Sequence, residues 1–352
     1  MVPRAARPLA LVLLSLLGTA IPGAVVPAEP VAGQRVAGDL IRFLGLDPAT
    51  ARPELESGAV VHNGLSGREK LPEEIVAAGA MLLVKGRDAE TVVDAFLHRE
   101  TFLRVQEVNR YQALQGAEGD VAAFASLPMP GGLQLAEVVK NPRRTLNLSI
   151  AEGDRLRALA PAGADLEARA RGTLAEILAA RLKAFAAQGI AGIEPYVREN
   201  GDKVDPRREL GSAIASLAFV SGEFPGFNSA LGAANEAMPG GATRNYYWME
   251  RKVENTNVIA LSSELRQRRD RAALGADLHF YASREYNSML TLIGVLPYDD
   301  ALLVFAVNHT FTDQVTGFGS SLKRSIARNL VADGLAKQLE ETRRRLGPSS
   351  TR

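Results

Sequence analysis

The sequence predicts an α+β protein: an antiparallel sheet with one long C-terminal helix, and a block of helices inserted before most of the strands. Five strand-like runs occupy residues 246–312, and three of the links between them have only two to four residues. Links this short join antiparallel strands, because parallel strands need a long crossover. Apolar residues recur at helical spacing between residues 322 and 339, and the pattern from 132 to 242 is also helical.

Composition limits the classes of protein that the chain can belong to. Of 352 residues, 46% are hydrophobic and 23% are charged, and the formal net charge is +1. These values are typical of a soluble globular protein, and they argue against a nucleic-acid-binding protein, which usually has a basic face. The sequence contains no cysteine, so disulfides, thiolate metal sites and a lipid-modified cysteine are excluded.

The first 28 residues predict a secretory signal peptide. Arg4 and Arg7 precede an apolar run at 9–17, and small residues lead up to Ala28. We expect export to the periplasm or the medium with cleavage after Ala28, or after Ala20 as a variant. The alternative is an uncleaved membrane anchor, because the stretch after Arg7 is uncharged and nearly long enough to span a bilayer.

The mature chain is expected to start with a loosely packed lead-in at residues 29–55, which contains three prolines around one short helical pattern. An α+β domain then begins at residues 56–131. Its predicted elements are strands at 58–62 and 74–85, a helix at 88–97 and a strand at 102–114.

Residues 132–242 form the predicted helical insertion. Ser149 and Glu152 have the spacing of a capping box, and Asp205 followed by proline is a typical helix start. Between them, Asp165 opens an amphipathic helix that ends at Gly189, where a left-handed residue is favoured.

The α+β domain resumes at residues 243–346, and residues 347–352 are expected to be a disordered tail. The predicted strands are 246–253, 258–265, 277–283, 286–296 and 301–312. In the final helix, an apolar stripe that includes Leu322, Ile326, Leu330 and Leu335 is expected to face the sheet.

This order of elements is similar to the helix-grip fold of START-like ligand-binding domains. The resemblance covers residues 71–114 and 246–346 and depends on element order alone; the block at 132–242 departs from it. It implies a curved sheet that wraps the final helix around an apolar cavity. The ligand would be a lipid-like small molecule. The chain would contact the membrane only through its signal segment, during export.

A polar row is predicted on the meander. If Ser283 pairs with Tyr286, and Leu296 with Ala301, then Tyr281, Ser288 and His309 lie opposite one another on three strands, with His279 and Phe305 on the same face. This row has two interpretations. His309 is a general base or ligand anchor assisted by Tyr281 or Ser288, or it is a core histidine satisfied by neighbouring hydroxyls.

Other residues give weaker indications. Trp248 lies in an aromatic cluster that either lines a pocket or belongs to the core of the sheet. The glycine-rich stretch 317–321 could bind an anion at a helix start, or simply form a flexible corner. The four histidines lack metal-site spacing, Leu322 stands where a dinucleotide fingerprint needs glycine, and the Walker string is absent, so no metal and no cofactor are expected.

We therefore expect an exported binding protein for an apolar or amphipathic small molecule. One alternative is a hydrolytic enzyme that uses His309 with Tyr281 or Ser288. Another is an envelope interaction protein without a cavity. The oligomeric state is left open.

Overall fold

The computed structural model describes residues 32–65, 75–105, 107–116, 118–129, 135–160, 165–235, 238–253, 255–313 and 320–347. The predicted signal peptide, the glycines at 317 and 319 and the tail after residue 347 lie outside these ranges. The side chains of residues 102, 104, 105 and 320–324 are likewise outside the description.

The elements of the described residues have the following bounds. The helices are α1 Ala32–Phe43, α2 Pro48–Glu56, α3 Ala89–Leu97, α4 Arg99–Val105, α5 Leu135–Lys140, α6 Pro142–Thr145, α7 Ile150–Arg157, α8 Leu166–Gln188, α9 Pro206–Ser216, α10 Phe227–Gly232 and α11 Ser320–Arg345. The strands are β1 Val61–Gly64, β2 Ile75–Lys85, β3 Val108–Ala113, β4 Tyr196–Val197, β5 Lys203–Val204, β6 Ala242–Val253, β7 Thr256–Arg269, β8 Ala272–Ala282, β9 Ser288–Tyr298 and β10 Ala301–Phe311. Short 3₁₀ helices occupy Val121–Phe124, Gly189–Gly192 and Leu217–Val220.

The predicted fold class is confirmed. Eight strands form one antiparallel sheet in the order β1-β2-β10-β9-β8-β7-β6-β3, and the long helix α11 ends the described chain. Strands β6 to β10 are neighbours in space as they are in sequence, which is the predicted meander. Strand β2, from the first part of the chain, pairs with the last strand β10 along its whole length.

Helices cover both faces of this sheet. On one side, here called the block face, α1 and α8–α10 pack on the strands, and Phe185 and Leu290 belong to the same core cluster. On the other side, here called the α11 face, α3 and the second half of α11 pack on the strands, and Phe96, Leu335 and Val304 belong to the same core cluster. The sheet is therefore a middle layer, and each face has its own apolar core.

Residues 32–56 do not form the loosely packed lead-in that we expected. They form α1 and α2, and Val36, Leu40 and Leu44 are completely buried in the block-face core. These three residues are spaced by four, so they form one apolar stripe that can dock on the sheet.

The predicted strand at 102–114 is wrong in its first half. Residues Arg99–Val105 form α4, and β3 begins only at Val108. A short apolar run fits a strand or a helix equally well by periodicity. Here the chain turns at His98, whose carbonyl accepts the Thr101 N–H at 2.9 Å, and a second helix follows.

The predicted contact face of the final helix is also wrong in its first half. Ile326 and Leu330 are 53% and 67% exposed, whereas Leu335 is buried as predicted. The docked stripe is formed by Ala332, Leu335, Ala336 and Leu339. Over the edge strand β1, α11 instead approaches the sheet at Arg328, whose backbone and Cβ occupy the space that a side chain at Gly64 would fill.

Candidate functional site

The predicted polar row does not form as expected. Strands β9 and β10 pair Ser288 with Phe311 rather than with His309. The reason is a tight two-residue turn after Tyr298, in which Asp299 has a positive φ of 47°. The register is thus shifted by two residues. A shift of two keeps the face, so Ser288 and His309 both remain on the block face.

A bulge in β8 separates Tyr281 from His279. Strand β7 pairs Leu261 with Tyr281 but Ser262 with His279, so Phe280 is the extra residue. Phe280 and Tyr281 both belong to the block-face core, while His279 points to the α11 face. The prediction that His279 and Tyr281 share a face is therefore wrong.

His309 is a buried neutral histidine. It has no exposed surface, its Nε2 lies 3.0 Å from the Ser216 hydroxyl at the end of α9, and its Nδ1 has no partner among the described residues. Burial lowers the pKa of His309 to about 4. At neutral pH the imidazole is therefore uncharged, and the helical block lies between it and any substrate in solvent.

Ser288 belongs to a different set of contacts. Its hydroxyl donates to Glu209 Oε2 at 2.6 Å, and the Asn287 amide donates to Glu209 Oε1 at 3.0 Å. Asn287 also donates to Asp313 and accepts from Arg198 at 2.8 Å, which leads the network to the surface. Ser288 is thus the inner end of a polar network that starts at an exposed carboxylate.

The other three candidate residues, Tyr281, Phe305 and Trp248, also lie in the block-face core. The Tyr281 ring packs 4.9 Å from the Arg181 guanidinium, and burial raises the pKa of its hydroxyl, which has no partner among the described residues. The Trp248 indole N–H has no partner there either.

No space for a ligand adjoins most of these candidates. Tyr281, Ser288, Phe305 and His309 have no accessible surface, so not even a water-sized void touches them. They face the helical block and not α11, so they would not line a cavity between the sheet and the final helix.

Sequence reasoning missed a band of polar side chains on the α11 face. The strand register places one line of polar residues across β10, β9, β8, β7 and β6; these are Asn308, Thr291, Asp277, Glu264 and Asn245. Ser262 and His279 lie in the adjacent line. We call these seven residues the polar band. Its sequence signal is the alternation of Ser262 with Glu264 and of Asp277 with His279, which resembles a solvated strand face.

The polar band is held by internal contacts. Ser262 donates to Asp277, and His279 Nδ1 lies 2.8 Å from the Tyr286 hydroxyl. Burial opposes ionisation of Asp277, but His279, Arg99 and the Ser262 hydroxyl outweigh it and hold its pKa below the usual value. Burial also lowers the pKa of His279. The neighbours of Asp277 therefore hold its side chain as the carboxylate.

Arginines neutralise the remaining carboxylate of the band. Glu264 lies 2.6 Å from Arg266 and 3.3 Å from Arg99 of α4. With the histidine and both carboxylates already engaged, the band has the geometry of a structural network.

Two of the open cavities among the described residues are each lined by three cationic residues. The first, here called the helix-end pocket, measures about 280 Å³ and lies between β2 and the last turn of α11. Aliphatic and cationic residues share its wall, namely Leu83, Val84, Leu346, Lys85, Arg87 and Arg343. Strand β1 pairs with β2 only up to Met81, so this end of β2 has no strand partner on that side among the described residues.

The second cavity, here called the arginine pocket, measures about 200 Å³. Its wall includes Arg144, Arg198 and Arg284 together with Asn147 and Asn287. It lies at the outer end of the polar network whose inner end is Ser288.

A larger groove of about 640 Å³, here called the α8 cleft, lies between Val121–Phe124 and the first half of α8. Phe124 and several alanines line it, with Asp165 and the Glu167–Arg171 ion pair among its charged residues.

Over the described ranges, no cluster of three or more histidine, aspartate or glutamate side chains is arranged to hold a metal ion. Within the same ranges, no helix combines the length and apolar character needed to cross a bilayer. Neither the scan against protein-family models nor the search of curated proteins finds a match to this chain.

Proposed function

We propose that this chain is an exported binding protein that holds a small amphipathic anion in the helix-end pocket. The observation that carries the proposal is the composition of this pocket: three cationic and three aliphatic side chains around about 280 Å³. That volume is close to the lower end of the range for small-molecule sites, about 300 Å³. The pocket also lies between the sheet and the final helix, where the helix-grip resemblance puts a ligand.

The charges in the pocket favour an anionic head group. Lys85, Arg87 and Arg343 line it, and the carboxylate next to them, Glu340, is paired with Arg343. The carbonyl end of α11 opposes an anion, because a helix C-terminus is partly negative. Three arginines in the last turn offset this effect. Leu346, together with the small exposed parts of Leu83 and Val84 (4% each), then provides apolar contact for a short tail.

We do not propose hydrolysis. That alternative needs His309 to reach a substrate, and His309 is buried under the helical block with a pKa of about 4. Export is proposed from the sequence of the first 28 residues. N-terminal sequencing of the protein from its envelope fraction should begin at Glu29, and an intact Met1 in the membrane fraction would contradict export with cleavage.

Calorimetric titration with sodium octanoate, octyl phosphate and octylamine tests the binding proposal, because the three probes share one tail. Octanoate and octyl phosphate should bind, and octylamine should not. Lys85→Gln and Arg87→Gln should each weaken binding about tenfold, since a hydrogen bond to a charged group contributes about 1.5–3 kcal/mol. Arg155→Gln removes an exposed cation elsewhere and should change nothing.

Three results would contradict the proposal. One is no binding of either anion to the wild-type protein. Another is equal affinity for octylamine. The third is octylamine binding that Glu167→Gln abolishes, because that result would place the ligand in the α8 cleft.

A further inference from the structure

A second binding site is indicated by the arginine pocket, whose wall combines exposed cations with buried amides. Arg144 is exposed at its edge, and Arg284 is partly exposed and paired with Glu285 at 2.8 Å. Asn287, which is 1% exposed, donates one amide N–H to Asp313 at the wall of the pocket, whereas both N–H groups of the buried Asn147 donate to backbone carbonyls. Guanidinium groups and amide N–H donors are the groups that bind small oxyanions.

Asp313 already occupies part of this site. One of its carboxylate oxygens accepts from Arg198 at 2.6 Å, and the other accepts from the Asn287 amide at 3.0 Å. Its side chain is nonetheless 43% exposed. The carboxylate thus makes the contacts that an oxyanion from solution would make, while lying close enough to solvent to be displaced.

Arg198 is positioned for this role by the buried residues beneath it. Its guanidinium donates to the side-chain oxygens of Asn147 and Asn287. Both asparagines are themselves anchored by hydrogen bonds. The Asn147 amide donates to the carbonyls of Ala282 and Tyr286 at 2.9 Å, and the Asn287 amide donates to Glu209 at 3.0 Å. A guanidinium held in this way loses little side-chain entropy when an anion binds.

We propose that the arginine pocket binds a small oxyanion, phosphate or carboxylate, and that Asp313 acts as its internal competitor. The site is separate from the helix-end pocket, and it requires no apolar tail on the ligand. The competition has a definite sign: removing the Asp313 charge strengthens anion binding, whereas removing cations from the wall weakens it.

Phosphorus-31 NMR titration of the full chain with inorganic phosphate tests the proposal, with sodium acetate as a competing carboxylate and sodium chloride to hold ionic strength constant. We expect Asp313→Asn to tighten phosphate binding at least threefold, because asparagine keeps an acceptor for Arg198 without the charge. The double variant Arg144→Gln with Arg284→Gln should weaken binding at least fivefold. Acetate should displace phosphate from the wild-type protein.

Controls separate this site from others. Arg155→Gln removes an exposed cation from another surface and should not change phosphate binding. Lys85→Gln removes a cation from the helix-end pocket, and the effects of Asp313→Asn and of the double variant should be the same in its presence. Circular dichroism checks that each variant is folded. The proposal is overturned if wild-type protein and Asp313→Asn both fail to bind phosphate, or if Asp313→Asn weakens binding in the folded protein. Equal losses with Arg155→Gln would show nonspecific charge attraction and would also overturn it.

Discussion

Replacing Glu152 by glutamine should strongly destabilise the fold, because it leaves a buried arginine without its counter-charge. Glu152 accepts from Arg181 Nε at 2.7 Å and from Nη2 at 2.6 Å, which is a two-point contact between α7 and α8. The two side chains are only 11% and 5% exposed. Arg181 also packs against the rings of Tyr196 and Tyr281, so no water can replace the lost carboxylate easily.

The chain contains a matched control for this change. Arg155 and Glu176 also connect α7 with α8, but they form an exposed pair. Breaking a buried pair by removing one partner costs about 3–5 kcal/mol, whereas an exposed pair contributes about 0–1 kcal/mol. Glutamine can still accept the Ser149 N–H that Glu152 accepts at 2.7 Å, so the helix cap is largely kept. The difference in unfolding free energy between the two variants therefore measures how much the buried carboxylate stabilises the fold.

Urea unfolding followed by circular dichroism measures both variants. Glu152→Gln should lower the free energy of unfolding by about 3–5 kcal/mol, and Glu176→Gln by about 1 kcal/mol or less. For a chain of this size, each kcal/mol corresponds to about 1–2 °C in Tm. Losses of similar size in the two variants would refute the reasoning, because they would show that Arg181 is solvated.

Two further predictions concern the core. Leu335→Ala should lower the free energy of unfolding by about 2–5 kcal/mol, because Leu335 is buried against the sheet. Leu330→Ala, at a position 67% exposed, should lower it by about 0.5 kcal/mol or less. Thermal unfolding of both variants tests which face of α11 is docked, and equal losses would contradict the assignment. His309 has a pKa of about 4 in the folded protein, below its value of about 6.5 in the unfolded chain. Between these two values the unfolded chain binds a proton that the folded protein does not bind. The free energy of unfolding should therefore fall as the pH drops from about 6.5 towards 4, by up to about 3 kcal/mol. His309→Gln should reduce that loss when urea midpoints at pH 7 and pH 5 are compared, and an unchanged difference would contradict the assignment.

Local signals in the sequence predicted much of the fold correctly. The capping box of Ser149 and Glu152, and the start at Asp205 followed by proline, are both present. These signals depend on hydrogen bonds within a few residues, so the sequence alone carries them. The antiparallel order of β6 to β10 follows from short links in the same way.

Register and burial depended on contacts that sequence does not show. The turn at Asp299 and the extra residue Phe280 each displaced the predicted polar row, and neither changes the hydrophobic pattern. The polar band was missed for a related reason. Alternating polar residues in a strand usually face solvent, and here they are buried on a face that distant helices, α3, α4 and α11, partly cover.

Native mass spectrometry of the protein purified from its own envelope tests the central claim most directly. The account predicts an adduct whose mass fits an acidic amphiphile, retained at low activation energy. The adduct should be absent from the double variant Lys85→Gln with Arg87→Gln and present in Arg155→Gln. Protein that carries no adduct, or an adduct of equal occupancy in the double variant, would contradict ligand binding in the helix-end pocket.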